Sequence, residues 1–347
     1  MYFVPLPKIV FCDIVVSMHT QKEQPIALTG VKPTGQHHVG NYFGAMKPFV
    51  DFQLKGEYQT FVFVADLHAL NFITDAKQMH EYALGIAMDY LAIGVDPRKT
   101  VMYRQSDIPE ITELSWIFNT LTSMPYLMRA HAFKDAEAKN KEVSAGTFCY
   151  PVLMAADILI QDADVVPVGK DQNQHLEIAR DVAAKFNHTY GVEMFKAPKT
   201  VTIESVATVP GVNGRKMSKS YNNTIPLFAD DETLRKAVMS IVTDSKSPEE
   251  PKNPEEDNIF ALHTLFSEND IEEIEQRYRE GGIGYKESKD ILYENIRAFI
   301  APLREKRETI AADPAAVKRI LDEGGEVARQ RAAQKLEEVR AAVGLNY

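Results

Sequence analysis

The sequence has few cysteines, no long apolar run and no excess of positive charge. Its two cysteines, Cys12 and Cys149, form neither a disulfide framework nor a metal-ligand spacing, as expected in a reducing cytoplasm. No apolar run reaches the length of a membrane-spanning helix, so we expect no membrane partner. The formal net charge of −10 argues against loose adhesion to nucleic acid, and an RNA partner would have to contact local basic patches.

The 347 residues are enough for two domains, and 45% hydrophobic with 25% charged residues is ordinary for a globular protein. Residues 1–17 are apolar but interrupted by Pro5, Pro7 and Asp13, and no basic segment precedes them. We interpret them as an extension outside the fold, with Met18 as a candidate start. The alternative is an ordered strand that packs on the domain.

A glycine-rich stretch, GVKPTGQHHVGN, runs from Gly30 to Asn41. It follows the apolar run Ile26–Leu28 and precedes a helical pattern, so it predicts a loop that leaves a strand and opens a helix. Such a loop can bind phosphate through free backbone N–H groups, and His37 and His38 add side-chain hydrogen-bonding groups. It matches neither GxGxxG nor GxxxxGK[ST], and taken alone it fits a glycine-rich turn with surface histidines better than a nucleotide site.

Three further strands are predicted at 60–65, 101–103 and 164–168, alternating with helices, which indicates an α/β protein with a parallel sheet. Polar residues follow these strands: His68 lies after one and Gln172 after another. The carboxyl ends of parallel strands share one edge, so both side chains are expected at the same crevice. Alternatively, His68 is a structural histidine whose hydrogen bonds are satisfied within the protein. Thr74 is predicted to cap the helix that follows His68.

The segment YPVLMAADILI, residues 150–160, predicts an apolar helix with Pro151 in its first turn. Tyr150, Met154 and Asp157 share one face of it. An unpaired aspartate is costly to bury, so Asp157 is expected to meet either a protein partner or a ligand.

From residue 230 onward the pattern is helical, with a pause predicted at Gly324-Gly325. This half could face an RNA backbone, although glutamates between its cations also fit a solvated surface. The cations are Arg304, Lys306, Arg307, Lys318, Arg319, Arg329, Arg331 and Lys335.

A second loop-like stretch, GRKMSKS, covers residues 214–220. HVGN at 38–41 resembles the HIGH-type motif, and KMSKS at 216–220 resembles the second motif, of class I aminoacyl-tRNA synthetases. The run from Tyr150 to Asp181, with VPVG followed by DQNQHLE, resembles that of tryptophanyl-tRNA synthetases, and the likeness extends from Ile26 to Leu345.

This resemblance implies a Rossmann-type doubly wound parallel sheet in residues 18–229, a helical anticodon-binding domain in residues 230–347, and a homodimer. It implies activation of tryptophan with ATP and Mg²⁺ and transfer to tRNA(Trp). His38, Asn41, Lys216 and Lys219 would be catalytic. ATP would contact Lys32, Pro33, Thr34, Gly40, Asn41, Gly169, Lys170, Asp171, Lys216, Met217, Ser218, Lys219 and Ser220. Tryptophan would contact Leu28, Gly30, His68, Tyr150, Met154, Asp157, Val168 and Gln172. No protein-held metal is expected.

Two positions depart from the family pattern. Many members carry Gln where this chain has Lys32 and Glu where it has Lys170, and both changes add positive charge near the presumed phosphates. They bear on how the protein and Mg²⁺ share the triphosphate. A tyrosyl-tRNA synthetase and a paralogue that has lost turnover are the alternatives.

Overall fold

The computed structural model describes residues 24–129, 133–134, 143–168, 173–202 and 209–347. The extension 1–17 and the predicted site residues Gly169, Lys170, Asp171 and Gln172 lie outside the described residues, and Val168 is described only through its backbone. The predictions made for these positions therefore stay predictions.

Five parallel strands form the sheet in the described part of the chain. They are β1 (Ile26–Val31), β2 (Gln59–Val64), β3 (Thr100–Arg104), β4 (Val165–Val168) and β5 (Lys199–Thr202), in the spatial order β3-β2-β1-β4-β5. Strands β2 and β3 lie on one side of β1, and the later strands β4 and β5 lie on the other side. The switch point, where such sheets bind ligands, therefore lies between β1 and β4.

Successive residues of a strand point to opposite faces of the sheet. Both faces carry apolar side chains, and helices cover both. Phe61 packs in one apolar cluster and Val62 in another. This confirms the predicted doubly wound α/β fold. The longer helices are α1 (Lys47–Lys55), α2 (Ala76–Ile93), α3 (Glu110–Leu121), α4 (Ala145–Ile160), α5 (Asn173–Tyr190), α6 (Asp231–Met239), α7 (Asn258–Phe266), α8 (Ile271–Glu280), α9 (Tyr285–Ala311) and α10 (Pro314–Val343). None of the described helices is both long and apolar enough to cross a membrane.

Two predicted helix starts are wrong. The cap of α2 is Asp75, whose Oδ1 accepts the Gln78 N–H at 2.7 Å, and not Thr74. Helix α4 begins at Ala145 after the cap Ser144, so Pro151 lies inside the helix instead of in its first turn. The surrounding core outweighs the one backbone hydrogen bond that this proline removes.

The predicted pause at Gly324-Gly325 is also wrong, because α10 continues through both residues. An added Cβ at Gly324 would fall 1.9 Å from the carbonyl oxygen of Met102 in β3. Gly324 therefore lets α10 lie directly on the edge strand, and Gly325 approaches Asp107 in the turn after it. The later residues Ala328 and Leu336 of α10 join the core on that face. Covering β3 also protects an edge that would otherwise offer unpaired backbone groups.

Candidate active site

The first loop begins later than predicted, because β1 continues through Gly30 and Val31. A Cβ at Gly30 would lie 2.5 Å from Cζ of Phe63, its partner on β2. With any larger residue at position 30, the Phe63 ring could not keep its place at the carboxyl edge of the sheet. The loop itself starts at Lys32, directly at the predicted crevice.

His38 and Asn41 close the first loop by capping each other. The Asn41 N–H donates to His38 Nδ1 at 3.2 Å, and the His38 N–H donates to Asn41 Oδ1 at 3.1 Å. Burial, helped by the nearby charges of Lys219 and His37, lowers the pKa of His38 to about 4. The ring is therefore neutral at pH 7, with Nδ1 as an acceptor and its proton on Nε2. His38 thus carries an uncharged N–H donor at Nε2.

The second loop reaches across to the first. Lys219 Nζ donates to the carbonyl oxygens of Thr34 at 2.9 Å and Gly35 at 3.1 Å. The backbones also join, since the Val39 N–H donates to the Ile225 carbonyl at 3.0 Å. The two predicted nucleotide segments, 185 residues apart at Lys219 and Thr34, therefore form one structural unit.

Asn223 holds the second loop in shape, a role that the sequence did not reveal. Its side chain is buried, its Oδ1 accepts the Ser218 N–H at 2.8 Å, and its Nδ2 donates to the Lys216 carbonyl at 3.2 Å. Asn222 beside it adopts φ 47°, a left-handed conformation that asparagine tolerates. The Asn-Asn pair directly after KMSKS was the available signal for such a turn.

Asp157 is the centre of the predicted amino-acid pocket, and it is only 1% exposed. His68 Nε2 lies 2.9 Å from its Oδ2, and Gln105 Nε2 lies 2.8 Å from its Oδ1. Burial raises the pKa of Asp157, while the hydrogen bonds from His68 and Gln105 oppose that rise. Gln105 Nε2 also lies 3.0 Å from Oδ2, so the carboxylate is held in a fixed orientation and keeps one lone pair, on Oδ1, for another donor.

Gln105 is the second residue that the sequence reading missed. Gln105 follows β3 immediately, and His68 lies shortly after β2. Gln105 Oε1 accepts the His68 N–H at 3.3 Å. The rule that polar residues after parallel strands meet at one edge applies to it equally.

Aromatic rings and one lysine line the mouth of this pocket. The Tyr150 ring lies edge-on to His68, with ring centres 6.0 Å apart. Lys32 Nζ lies 5.2 Å from the centre of the Tyr150 ring and 5.8 Å from that of Phe72. Lys32 therefore connects the first loop with the pocket, and Phe72, which is 69% exposed, is a further residue that the sequence did not indicate.

Three other predicted residues are buried, and a fourth, Met154, is partly buried. Leu28 is in the core beneath the pocket, and Met154 packs against that core. Pro33 and Met217 are also buried, so the structure leaves mainly their backbone atoms for a ligand.

Most of the cations proposed for RNA contact have carboxylate partners within the protein. Ion pairs hold six of the eight, namely Arg304, Arg307, Lys318, Arg319, Arg329 and Lys335. For these six a carboxylate of the protein already balances the charge, which weakens the prediction that they contact RNA.

Comparison with known proteins agrees with this geometry. A sequence model of the family "tRNA synthetases class I (W and Y)" matches residues 20–301. The chain belongs to this family of class I tRNA synthetases. It is 48% identical over 320 residues to the tryptophan-tRNA ligase of Fusobacterium nucleatum, which covers 92% of this chain and 98% of that protein. The corresponding enzyme of Rhodopirellula baltica is 47% identical, covering 92% and 99%.

A solved structure of a class I synthetase also resembles this one. The tryptophanyl-tRNA synthetase of Campylobacter jejuni, complexed with ADP and tryptophan, superposes with a TM-score of 0.86 at 45% identity and covers 92% of this chain and 100% of that chain. The family model covers both W and Y enzymes, so by itself it leaves the amino acid open. The relatives named above all carry the tryptophan name.

Proposed function

We propose that this class I synthetase is a tryptophan-tRNA ligase. It would join L-tryptophan and ATP to tryptophanyl-adenylate with release of pyrophosphate, and then transfer the tryptophanyl group to tRNA(Trp) with release of AMP. One observation carries the proposal. His68 and Gln105 hold the buried Asp157 carboxylate at the same carboxyl edge of the sheet at which the two loops meet.

The indole ring of tryptophan has one hydrogen-bond donor and no good acceptor. A carboxylate that is acceptor-only suits it, and Asp157, held by His68 and Gln105, would accept the indole N–H. Tyr150 and Gln172 would hold the amino group, while Leu28, Gly30, Met154 and Val168 would line the ring. Loss of contacts can reject smaller amino acids, so this pocket needs no separate editing site.

Adenylate formation needs positioning more than a side-chain nucleophile. The tryptophan carboxylate would attack the α-phosphorus of ATP, and the bond to pyrophosphate would break in line. Lys216 and Lys219 would stabilise the negative charge that develops on the phosphates, and His38 Nε2–H would donate to a phosphate oxygen without adding charge.

Mg²⁺ would enter with the triphosphate. Within the described residues, no cluster of three or more His, Cys, Asp or Glu side chains could hold a metal ion. The side chains of the first loop itself, residues 32–41, include no carboxylate, so phosphate oxygens and water would hold the ion, which would neutralise the phosphate charge. The basic substitutions at Lys32 and Lys170 would share that neutralisation.

ATP-pyrophosphate exchange tests the proposed reaction. We expect exchange that depends on tryptophan and is at least a hundredfold weaker, on the order of the discrimination a fitted polar pocket gives, with tyrosine. Exchange with tyrosine alone would establish the tyrosyl alternative. No exchange with either amino acid, in protein that binds ATP, would establish a paralogue without turnover.

We also propose a homodimer, supported by apolar side chains on one region of the surface. Trp116 on α3 is 70% exposed, and Met124 and Met128 just beyond that helix are 66% and 46% exposed. Large apolar side chains that are exposed close together in the chain support an interaction surface. Light scattering should give twice the chain mass of 39.0 kDa. The Trp116→Glu variant should give the single chain mass, and a monomeric unaltered protein would refute the proposal.

The helical half would bind the tRNA anticodon, and the protein would act in the cytoplasm. A tRNA gel shift tests the first point. Lys306→Ala should weaken the complex, because Lys306 has no ion pair among the described residues. Arg319→Ala should change it less, because Arg319 pairs with Asp313 at 3.8 Å. Equal effects at paired and unpaired positions would remove the argument from charge pairing.

A further inference from the structure

A buried charged cluster joins three distant segments beside the first loop. Asp89 on α2 is 2% exposed. Its Oδ2 lies 2.6 Å from His37 Nδ1, and its Oδ1 accepts from Arg307 Nε on α9 at 2.5 Å. A buried carboxylate is costly unless it is paired, and here each oxygen has its own cationic or polar donor.

His37 connects this cluster to the nucleotide loop. It immediately precedes His38, the residue that caps Asn41. Its own carbonyl oxygen accepts the Leu227 N–H at 2.9 Å, so both its side chain and its backbone are held. Rotation of His37 out of this position would therefore shift His38 relative to the second loop.

Arg307 brings the helical half to the same point. Its guanidinium lies over the Phe228 ring at 5.3 Å, and Phe228 follows Leu227 in the segment that leaves the second loop. Arg307 on α9 thus contacts both Asp89, which orients the first loop, and Phe228, which lies after the second loop. Burial lowers the pKa of Lys219, the lysine that bridges the two loops, and the negative charge of Asp89 opposes that lowering.

We propose that Asp89 and Arg307 are positioning residues for ATP, acting through His37 to keep the first loop in its nucleotide-binding conformation. The proposal rests on the function proposed above, because it assigns ATP to that loop. Neither residue belongs to the Asp157 network, so their loss should affect the nucleotide and spare tryptophan.

Calorimetric titration of Arg307→Gln tests this, with the Mg²⁺ complex of adenosine 5′-(β,γ-imido)triphosphate and with tryptophan as separate ligands. We expect the Kd for the analogue to rise about tenfold, as for loss of one charged hydrogen bond, and the Kd for tryptophan to change less than about twofold. Arg307→Lys keeps the charge and should recover most of the affinity. Asp89→Asn, with one acceptor oxygen for two donors, should act in the same direction as Arg307→Gln.

Arg297→Gln is the matched control. Arg297 lies on the same helix and pairs with Glu294 at 3.0 Å and Asp231 at 3.7 Å. We expect Arg307→Gln to melt below this control, because it leaves the buried Asp89 with one charged donor fewer, and to stay folded at the temperature of the titration. An unchanged Kd for the analogue would overturn the proposal, and so would an equal loss of affinity for both ligands. Absence of tryptophan-dependent exchange by the unaltered protein would instead refute the proposed function, while the analogue titration would still decide the role of Arg307.

Discussion

Asp157→Asn changes one atom of the pocket and almost none of its volume. In the native protein Asp157 accepts from Gln105 on both oxygens and from His68 on Oδ2, at 2.8 to 3.0 Å. Asparagine has one acceptor oxygen, so its NH₂ group must face a donor from either Gln105 or His68. The indole N–H of tryptophan would also lose its charged acceptor.

A hydrogen bond to a charged group contributes roughly 1.5–3 kcal/mol, which corresponds to about ten- to a hundredfold in affinity. We therefore expect the KM for tryptophan in pyrophosphate exchange to rise by that factor, with the KM for ATP nearly unchanged. Asp162→Asn is the control, since Asp162 lies just beyond the same helix and pairs with Lys335 at 2.9 Å outside the pocket. An unchanged KM for tryptophan in Asp157→Asn would refute the assignment of Asp157.

Lys219→Ala should lower kcat for exchange by about a hundredfold while the KM for tryptophan changes little, because the lysine acts on the developing phosphate charge; equal effects on both would contradict this. Gly30→Ala should lower the free energy of unfolding by roughly 1–3 kcal/mol, since the new Cβ would fall 2.5 Å from the buried Phe63 ring, and an unchanged urea midpoint would show that the ring can move. Burial lowers the pKa of His263 to about 4, so between about pH 6.5 and 4 only the unfolded chain takes up this proton and stability falls as the pH falls. The loss approaches about 3 kcal/mol, and a urea midpoint in His263→Gln that depends on pH as steeply as in the native protein would contradict it. Deletion of residues 1–17 should leave exchange unchanged, and a collapse in yield would show that the extension is structural.

The parallel sheet followed from local sequence, and the approach of the two loops followed from the resemblance of HVGN and KMSKS to the motifs of class I synthetases. Strands such as β2 are short, apolar and rich in β-branched and aromatic residues, and the strand-end rule correctly brought His68 to the edge where Asp157 lies. Gln105 obeys the same rule but opens a short 3₁₀ turn. Its importance became visible only when its amide was seen to contact Asp157.

Other features depend on tertiary contacts that no local pattern contains. Gly324 and Gly325 weaken a helix by about 1 kcal/mol each on their own, yet the close approach to Met102 favours a continuous helix. His37 and Asp89 are 52 residues apart, and Asp89 and Arg307 are 218 apart. Such pairs have no periodicity or motif, so only the folded chain reveals them.

The most direct test of the account is a crystal structure with tryptophan and a non-hydrolysable ATP analogue bound together. We expect the indole nitrogen within hydrogen-bonding distance of the Asp157 carboxylate, and the triphosphate between the loop at residues 32–41 and the lysines at 216 and 219. An indole ring bound away from Asp157, or lysines turned away from the phosphates, would contradict it.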